Sequence, residues 1–504
     1  MSTTFASKIG LFAAFLFALL VCVSSAGLSY QLTNVESLFA WVRSLGGTVD
    51  GITIMTPENG PRGLWTTKPH KNNSVMLVVP AEAMIHRGGV LNATRNPAFN
   101  AFYEPLVGSF PGDDGMLNAM YLMFENFYNL QDSAIAPFLN ALPTLAYDRD
   151  FFTFLPRFWH SKLQALIGTC PSGKVDFHDQ LRNQMTLKHY ITNTLYPYMS
   201  EKYIILSVDH LIDQFNWGLS IVSTRAWGDL SISSDPPKIK GGCTIVPIAD
   251  MLNHRNFASA LAAVTDDTTL IGHGVPAYKD FAAGEEIFDN YSPFERKEEC
   301  NINLMITFGF IDPHPGYDCF KVRMSVDWKK HEFVDMKKQL LESFKFDISQ
   351  GSVSFTLQGS TLEIAKEHMD PQFMLFMRIL AINSTLEIDR AQLAASGTIP
   401  QNEGWTLENE HKAINDAFRV FRKIEAEFET TIEEDLELEK RIDTMLKNSS
   451  LMLTQAHMDN LRREKMVIEL RRREHMVIES AAKVVEQSWT NMLTLPLSEI
   501  FLPK

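Results

Sequence analysis

The sequence predicts an α+β protein, and three observations carry that prediction. Apolar or β-branched runs at Gly51 to Met55, Gly63 to Thr67 and Val75 to Val79 are separated by Pro, Gly and Asn, which reads as a small meandering sheet rather than βαβ units. Between about Asn100 and Ile221 the pattern turns helical, and strands return after it. From about Trp328 the reading is almost wholly helical.

In chain order, Val35, Leu38, Phe39, Trp41 and Val42 give an amphipathic helix closed by Gly46-Gly47. Within the helical insert the runs Met116 to Leu130 and Ala134 to Leu142 are helical candidates, interrupted at Pro137, Pro143 and Pro156. A polar loop, Ser231 to Gly242, precedes the returning strands, for which Cys243 to Ile248, Leu261 to Val264 and Glu286 to Phe288 are the candidates. Thr431-Ile432-Glu433-Glu434 is a capping box and predicts a long helix starting there. REKMVIEL at Arg463 to Leu470 recurs as REHMVIES at Arg473 to Ser480, ten residues on, a spacing that fits neither a heptad nor an eleven-residue supercoil repeat. It reads as a local duplication that lengthens one exposed helix, its charges forming a solvated face.

Composition narrows the function classes. The 504 residues are 45% apolar and 21% charged, the proportions of a folded protein of two or three domains. A formal charge of −14 leaves no broad electrostatic footprint for nucleic acid, so no nucleic-acid partner is expected. Five cysteines are too few for a disulfide scaffold, and none has metal-finger spacing, so no metal is expected. Cys243, Cys300 and Cys319 are expected to pack as small apolar residues. Near the start, Lys8, the apolar run Ile9 to Val23 and the small residues Ser24, Ser25 and Ala26 read as a signal peptide or anchor over residues 1–26, with a buried helix as the alternative. That segment implies the secretory pathway or a plastid, with cytoplasm or nucleus as the alternative, and any membrane association would run through it.

Two segments crowd polar and aromatic side chains into apolar surroundings: Ile245-Val246-Pro247-Ile248-Ala249-Asp250-Met251-Leu252-Asn253-His254 and Gly284-Glu285-Glu286-Ile287-Phe288-Asp289-Asn290-Tyr291. Carboxylate, amide and imidazole beside a strand are costly unless paired, so the cluster is either a satisfied core network or a ligand site. VPIADMLNH, followed by AGEEIFDNYSPFERKEECNINLMITFGF, resembles the catalytic half of SET-domain methyltransferases, in the branch of Rubisco large-subunit lysine methyltransferase. PRGLWTTK near Arg62, FLNALP with FLPRFWHSKLQALIGT, WGLSIVSTRAW at Trp217 to Trp227 and TTIEEDLELE resemble further parts of that branch in the same order, over about Val35 to Gln487.

The resemblance implies a SET-domain β-fold with a pseudoknot over about 30–325, its helical insert at about 100–221, and an all-α substrate-binding domain at about 328–495. It implies S-adenosylmethionine as cofactor, a protein presenting a lysine as partner, and a monomer. It also implies that Arg62, Gly63, Leu64, Arg225, Asn253 and His254 bind the cofactor, with Arg225 pairing its carboxylate, while Tyr291 stands beside the transferred methyl as the catalytic residue. Thr224, Asp250, Phe308 and Phe310 would wall the lysine channel, and Phe308, where a Tyr is common, would leave room for more than one methyl. The branch that methylates a histidine of actin carries Asn where this chain has Trp227 and Trp where it has Ala249, which favours lysine; histidine transfer and a non-catalytic scaffold are the alternatives.

On the residues alone, His254 also reads as a structural histidine, Asp250 as a backbone cap, and Phe308 and Phe310 as core aromatics. Two departures from the family pattern stand out: Gly60 and Gly63 are set wider than its usual glycine pair, and Asn290-Tyr291-Ser292 forms a glycosylation acceptor triplet, as do stretches at Asn72, Asn92, Asn383 and Asn448.

Overall fold

The computed structural model describes residues 34–57, 60–144, 152, 154–227, 243–255, 262–266, 269–291, 300–348, 351–368, 370–401, 404–448 and 453–494. The leader-like run at residues 1–26, the loop Ser231 to Gly242 and the end of the triplet at Ser292 lie outside them. Among the described residues no helix is long and apolar enough to cross a membrane. The chain forms two compact units, Met1–Phe152 with Gln184–Pro293, and Thr153–Asn183 with Phe294–Lys504. Residues 153–183 of the insert and 294–325 thus group with the C-terminal half, whereas the sequence reading drew its boundary near 325–328.

In the first unit, β2 (Ile52–Met55), β3 (Gly63–Thr66), β10 (Glu286–Asp289) and β7 (Asn253–His254) form one four-stranded sheet in the order β2-β3-β10-β7. A second sheet runs β1-β4-β9-β8, from β1 (Thr48–Val49), β4 (Val75–Pro80), β9 (Thr269–Pro276) and β8 (Ala262–Asp266). The sequence reading placed no strand at β9, because Gly272 and Gly274 interrupt its apolar pattern. Those glycines serve close packing: a Cβ on Gly272 would stand 2.1 Å from the Val79 carbonyl oxygen.

Cys243 to Ile248 is not the continuous strand expected. Only β6 (Thr244–Ile245) pairs, with β5 (Ala226–Trp227). Pro247 has no N–H to give the ladder, and Ile248 adopts φ 73°, so the strand ends and the chain turns into Ala249–Met251.

Helices complete this unit. Val35, Leu38, Phe39 and Val42 are the buried stripe of the first one, residues 34–44. Asp114–Phe127, capped by Asp113, packs on Val208–Arg225, capped by Ser207. Their backbones approach closely because position 218 is glycine; a Cβ there would lie 2.4 Å from the Ala119 carbonyl oxygen. The helix Val208–Arg225 ends on Arg225, and its packing therefore places that guanidinium.

The second unit is helical apart from an antiparallel pair, β11 (Cys319–Ser325) and β12 (Ser352–Gln358). The domain expected to be all-α thus contains β12, whose SVSFTLQ alternates strictly between buried and more exposed positions. The capping box forms reciprocally: the Glu434 N–H donates to Thr431 Oγ1 (3.2 Å), the Thr431 N–H donates to Glu434 Oε2 (2.9 Å), and the helix Ile432–Asn448 follows.

Two expectations are corrected here. The repeat-bearing helix, Gln455–Thr494, is not an exposed one: Met466, Val467, Ile468, Leu470, Val477, Ile478 and Ala481 are buried. Ten residues turn a helix by about 280° and advance it about 15 Å. The first copy therefore packs with Trp159, Leu163 and Met305, and the second packs in a different cluster with Phe320, Phe373 and Phe421. Its arginines are paired as well, Arg471 with Asp435, Arg472 with Glu439 and Arg473 with Asp318. Nor do Cys300 and Cys319 pack as separate thiols. They form a disulfide, because the chain brings the residue before the helix Asn301–Phe308 against the first residue of β11, with Cα atoms 5.3 Å apart. Cys243 is a half-buried free thiol.

Candidate active site

Strands β7 and β10 run parallel, with Asn253 opposite Phe288 and His254 opposite Asp289. Antiparallel neighbours close in sequence need only a turn, whereas this pairing joins segments more than thirty residues apart and sets Tyr291 against Leu252–His254. The Tyr291 N–H donates to His254 Nδ1 (3.1 Å), and the Tyr291 hydroxyl donates to the Leu252 carbonyl (2.7 Å). The two rings lie 5.3 Å apart. Since His254 Nδ1 accepts, the neutral ring carries its proton on Nε2. Burial pushes the Tyr291 phenol above its ordinary range, helped by Asp289, Asp250 and Glu286 and opposed by Arg225, so it remains protonated at neutral pH.

Arg225 Nη1 donates to the Asp250 carbonyl (3.0 Å), to Asp250 Oδ2 (2.9 Å) and to the Met251 sulfur (3.2 Å). Asp250 is buried, and desolvation raises its carboxyl while Arg225 and then Arg62 pull it back. Its second oxygen, Oδ1, is buried and makes no hydrogen bond of normal geometry, the Ile248 backbone being the weakest of the groups that favour its charge. A buried carboxylate oxygen left in this state is the usual mark of a missing partner or ligand. Two residues before it sits Ile248 at φ 73°, a strained conformation for a β-branched residue.

Gly63 opens the other side of the cluster. A Cβ there would meet Glu286 Oε1 at 2.4 Å and Asn253 Nδ2 at 2.7 Å, so glycine lets the Glu286 carboxyl and the Asn253 amide come down onto the backbone, a close approach that any Cβ would break. Asn253 Nδ2 donates to Glu286 Oε1 (2.7 Å) and to the Arg62 carbonyl (3.3 Å). Burial raises the Glu286 carboxyl, with Asn253 opposing. Arg62 itself donates to the Ala141 carbonyl (2.6 Å) and the Met251 sulfur (3.4 Å).

The structure thus gathers Arg62, Gly63, Arg225, Asp250, Asn253, His254 and Tyr291 in the first unit. Leu64 lies with them in sequence, but its side chain is fully buried core. Thr224 turns its hydroxyl into its own helix, donating to the Ser220 carbonyl (2.7 Å). Phe308 and Phe310 belong to the second unit, in one turn, with ring centroids 6.2 Å apart.

Three residues were not singled out by sequence. Glu286 could have been found from alternation, since Glu286 and Phe288 share one strand face. Asp289, which accepts from Trp227 Nε1 (3.2 Å), and Met251 stood in the two crowded segments without a role of their own. Chemically, a guanidinium beside an under-bonded carboxylate oxygen suits a zwitterion. The amide and carboxyl on Gly63 suit a flat polar group, and the protonated phenol, held on the Leu252 carbonyl, suits a reacting centre.

Comparisons with known proteins bear on the fold and on the C-terminal domain. Residues 329–478 match the family described as Rubisco LSMT substrate-binding. The actin-histidine N-methyltransferase of Rhinolophus ferrumequinum is 22% identical over 463 residues, 88% of this chain and 67% of that protein. Among solved structures, Rubisco LSMT bound to sinefungin and monomethyllysine superposes with a TM-score of 0.63 at 17% identity, over 92% of this chain and 94% of that one. Rubisco LSMT bound to AdoMet gives 0.59 at 17% identity over 91% and 92%. The resemblance read from the sequence holds: this chain has the SET-domain fold of the Rubisco LSMT structures and carries, at residues 329–478, a Rubisco LSMT substrate-binding domain.

Proposed function

We propose that the protein is an S-adenosylmethionine-dependent protein methyltransferase whose acceptor is a lysine side chain. The observation that carries the proposal is the parallel pairing of β7 with β10, which sets the Tyr291 phenol on the Leu252 carbonyl within reach of the Arg225–Asp250 pair. The residues present fit the cofactor. Arg225 suits its carboxylate, Asp250 Oδ1 is an acceptor outside any normal hydrogen bond and suits its ammonium, and the Asn253 amide with the Glu286 carboxyl, both close on Gly63, suits its flat end.

When bound, S-adenosylmethionine supplies an electrophilic methyl group on a sulfonium. The chain's own residues supply placement. Holding reacting atoms within about 3–3.5 Å and in line is worth several kcal/mol without an acid or base. Tyr291, kept protonated and tied to Leu252, presents a fixed oxygen in a dry setting. Desolvation disfavours an ammonium and so favours the neutral amine a lysine must present.

Lysine is supported over histidine by Trp227, whose indole N–H is committed to Asp289, and by Ala249, a fully buried small side chain where the histidine branch carries Trp. A histidine acceptor is the second reading, favoured by the likeness to the actin-histidine N-methyltransferase. For localisation we propose the secretory pathway or a plastid, supported by the apolar run Ile9 to Val23 and by the Cys300–Cys319 disulfide, which needs an oxidising compartment. The test is transfer of a labelled methyl from S-adenosylmethionine to a protein extract, with acid hydrolysis of the products and a Tyr291→Phe control. Methyllysine lost in the control supports the reading; methylhistidine replaces the acceptor; no donor binding and no transfer sink the whole.

A further inference from the structure

Asn-x-Ser/Thr triplets begin at Asn72, Asn92, Asn290, Asn383 and Asn448, and the proposed chemistry draws on none of these asparagines. The fold separates them. At Asn290 the middle residue is Tyr291, whose N–H and hydroxyl are both spent on His254 and Leu252. At Asn383 the side-chain Nδ2 donates to Glu408 Oε1 (3.0 Å), and Ser384 caps the helix Thr385–Ala395. At Asn72 the Ser74 hydroxyl turns back to the Lys71 carbonyl (2.7 Å), the Asn72 N–H donates to Asp280 Oδ1 (2.9 Å), and Asn73 has φ 66°. Ser449 and Ser450, which follow Asn448, lie outside the described residues.

Asn92 is placed differently. Asn92, Ala93 and Thr94 are all exposed, and Asn92 Oδ1 accepts from the N–H groups of Thr94 and Arg95 (3.1 Å each). An amide whose oxygen is held by the backbone two and three residues on keeps its NH2 on the opposite side. Among the described residues neither Asn92 Nδ2 nor the Thr94 hydroxyl has a hydrogen-bond partner. Bonds this local form on a chain that has not yet packed. In the folded first unit Asn92 also borders a cavity of about 600 Å³, lined by Trp41, Leu45, Glu82 and Arg95 with their neighbours, so a sugar on Nδ2 meets space rather than packed chain.

We propose that Asn92 is a modification site: its amide carries an N-linked glycan, added in the oxidising compartment in which the Cys300–Cys319 disulfide forms. This rests on the secretory reading of the localisation and not on which side chain the enzyme methylates. In the transfer, Nδ2 bonds to the anomeric carbon of an oligosaccharide carried on a lipid diphosphate. The bond from that carbon to the diphosphate oxygen breaks, the lipid diphosphate leaves with the electron pair, and the amide releases one proton.

The experiment translates the full chain, residues 1–504, in the presence of endoplasmic-reticulum microsomes, and reads protease protection, mass before and after peptide N-glycosidase, and the modified peptide by mass spectrometry. The expected result is one enzyme-sensitive glycan on the Asn92 peptide, lost in Asn92→Gln and in Thr94→Ala and kept in Thr94→Ser. Thr94→Ala retains Asn92 and the backbone N–H groups on its Oδ1, so loss of the glycan there does not reflect a failure to fold. A protected chain whose Asn92 peptide is unmodified overturns the site alone, whether or not another triplet is used. A chain that stays outside the microsomes and is digested overturns the secretory reading and the site with it. Calorimetric titration of S-adenosylmethionine into the same chain reports on the methyltransferase reading separately, since neither Asn92 nor Thr94 belongs to the proposed donor site.

Discussion

Arg225–Asp250 in the first compact unit and Arg471–Asp435 in the second are buried arginine–aspartate pairs of similar exposure, and the two are bonded differently. In the second unit Arg471 meets Asp435 with two nitrogens, Nε to Oδ2 at 3.0 Å and Nη2 to Oδ1, while Nη1 donates to Thr169 and Thr430 donates to Asp435 Oδ1. In the first, Arg225 serves both oxygens of its interaction with Asp250 through Nη1, and Asp250 Oδ1 is left without a normal bond. Burial and residue type are the same; satisfaction is not. A pair whose carboxylate oxygens both accept ties helices together, here Ile432–Asn448 and Gln455–Thr494. A pair with one buried carboxylate oxygen outside any normal hydrogen bond, beside a strained Ile248, is the one the proposed function assigns to the donor.

The largest expected effect breaks or confirms that contrast directly. Asp435→Asn sets an amide NH2 against a guanidinium nitrogen whichever way it turns and should cost about 3–5 kcal/mol, whereas Asp250→Asn keeps an oxygen on Arg225 Nη1 and should cost less, about 1–2 kcal/mol, while removing methyl transfer. Denaturant midpoints of the two variants decide it, and equal losses would end the comparison. Tyr291→Phe should lower kcat about a hundredfold or more, the effect of one lost hydroxyl at a reacting centre, with a stability loss near 1 kcal/mol from the orphaned Leu252 carbonyl. A kcat within threefold of wild type would remove Tyr291 from the chemistry.

Lys337 sharpens the contrast from the structural side. It is buried in the second unit and donates to the Leu380 carbonyl (2.9 Å); burial, then Lys412, holds its amine down at about 8, against Glu332 and Glu387. Because the folded form prefers the neutral amine, its ammonium costs stability below pH 8, and that cost fades as pH rises toward 10.5, where the unfolded chain also loses the proton. Lys337→Met should therefore be more stable than wild type at pH 7, by roughly 1–2 kcal/mol, with the gap closing by about pH 10. A gap of constant size across that range would show that the charge is not its cause. Smallest is Gly63→Ala, expected to weaken donor binding about tenfold by pushing Glu286 and Asn253 off the backbone, with stability nearly unchanged because those flexible side chains can swing aside. Calorimetric titration of the donor reads this, and an unaltered Kd would mean that this close approach does not serve the donor.

Much of this site was legible before any coordinates. Asn253, His254 and Tyr291 stood out because imidazole, amide and phenol beside apolar strands need partners, and the structure supplies them across the β7–β10 pairing. The capping box at Thr431 was legible because its geometry is local. Met251 was not, since nothing in a methionine announces that its sulfur will accept from two arginines. The Cys300–Cys319 bond was missed because a disulfide depends on where two distant segments meet, not on their spacing. The repeat at 463–480 was misread as solvated because charge was counted without the ion pairs that bury it.

By itself the sequence determined what local physics can encode: the α+β class, the first helix, the strands at 52–55, 63–66 and 75–80, the helix start at Thr431, and the residue types able to bind a charged donor. Tertiary structure alone decided which of those residues meet. It ended the strand at Ile248, tied Thr224 into its helix, set Leu64 in the core, and turned a charged repeat inward. The reason is that propensity and periodicity act over a few residues, whereas hydrogen-bond satisfaction and burial are settled between segments far apart along the chain.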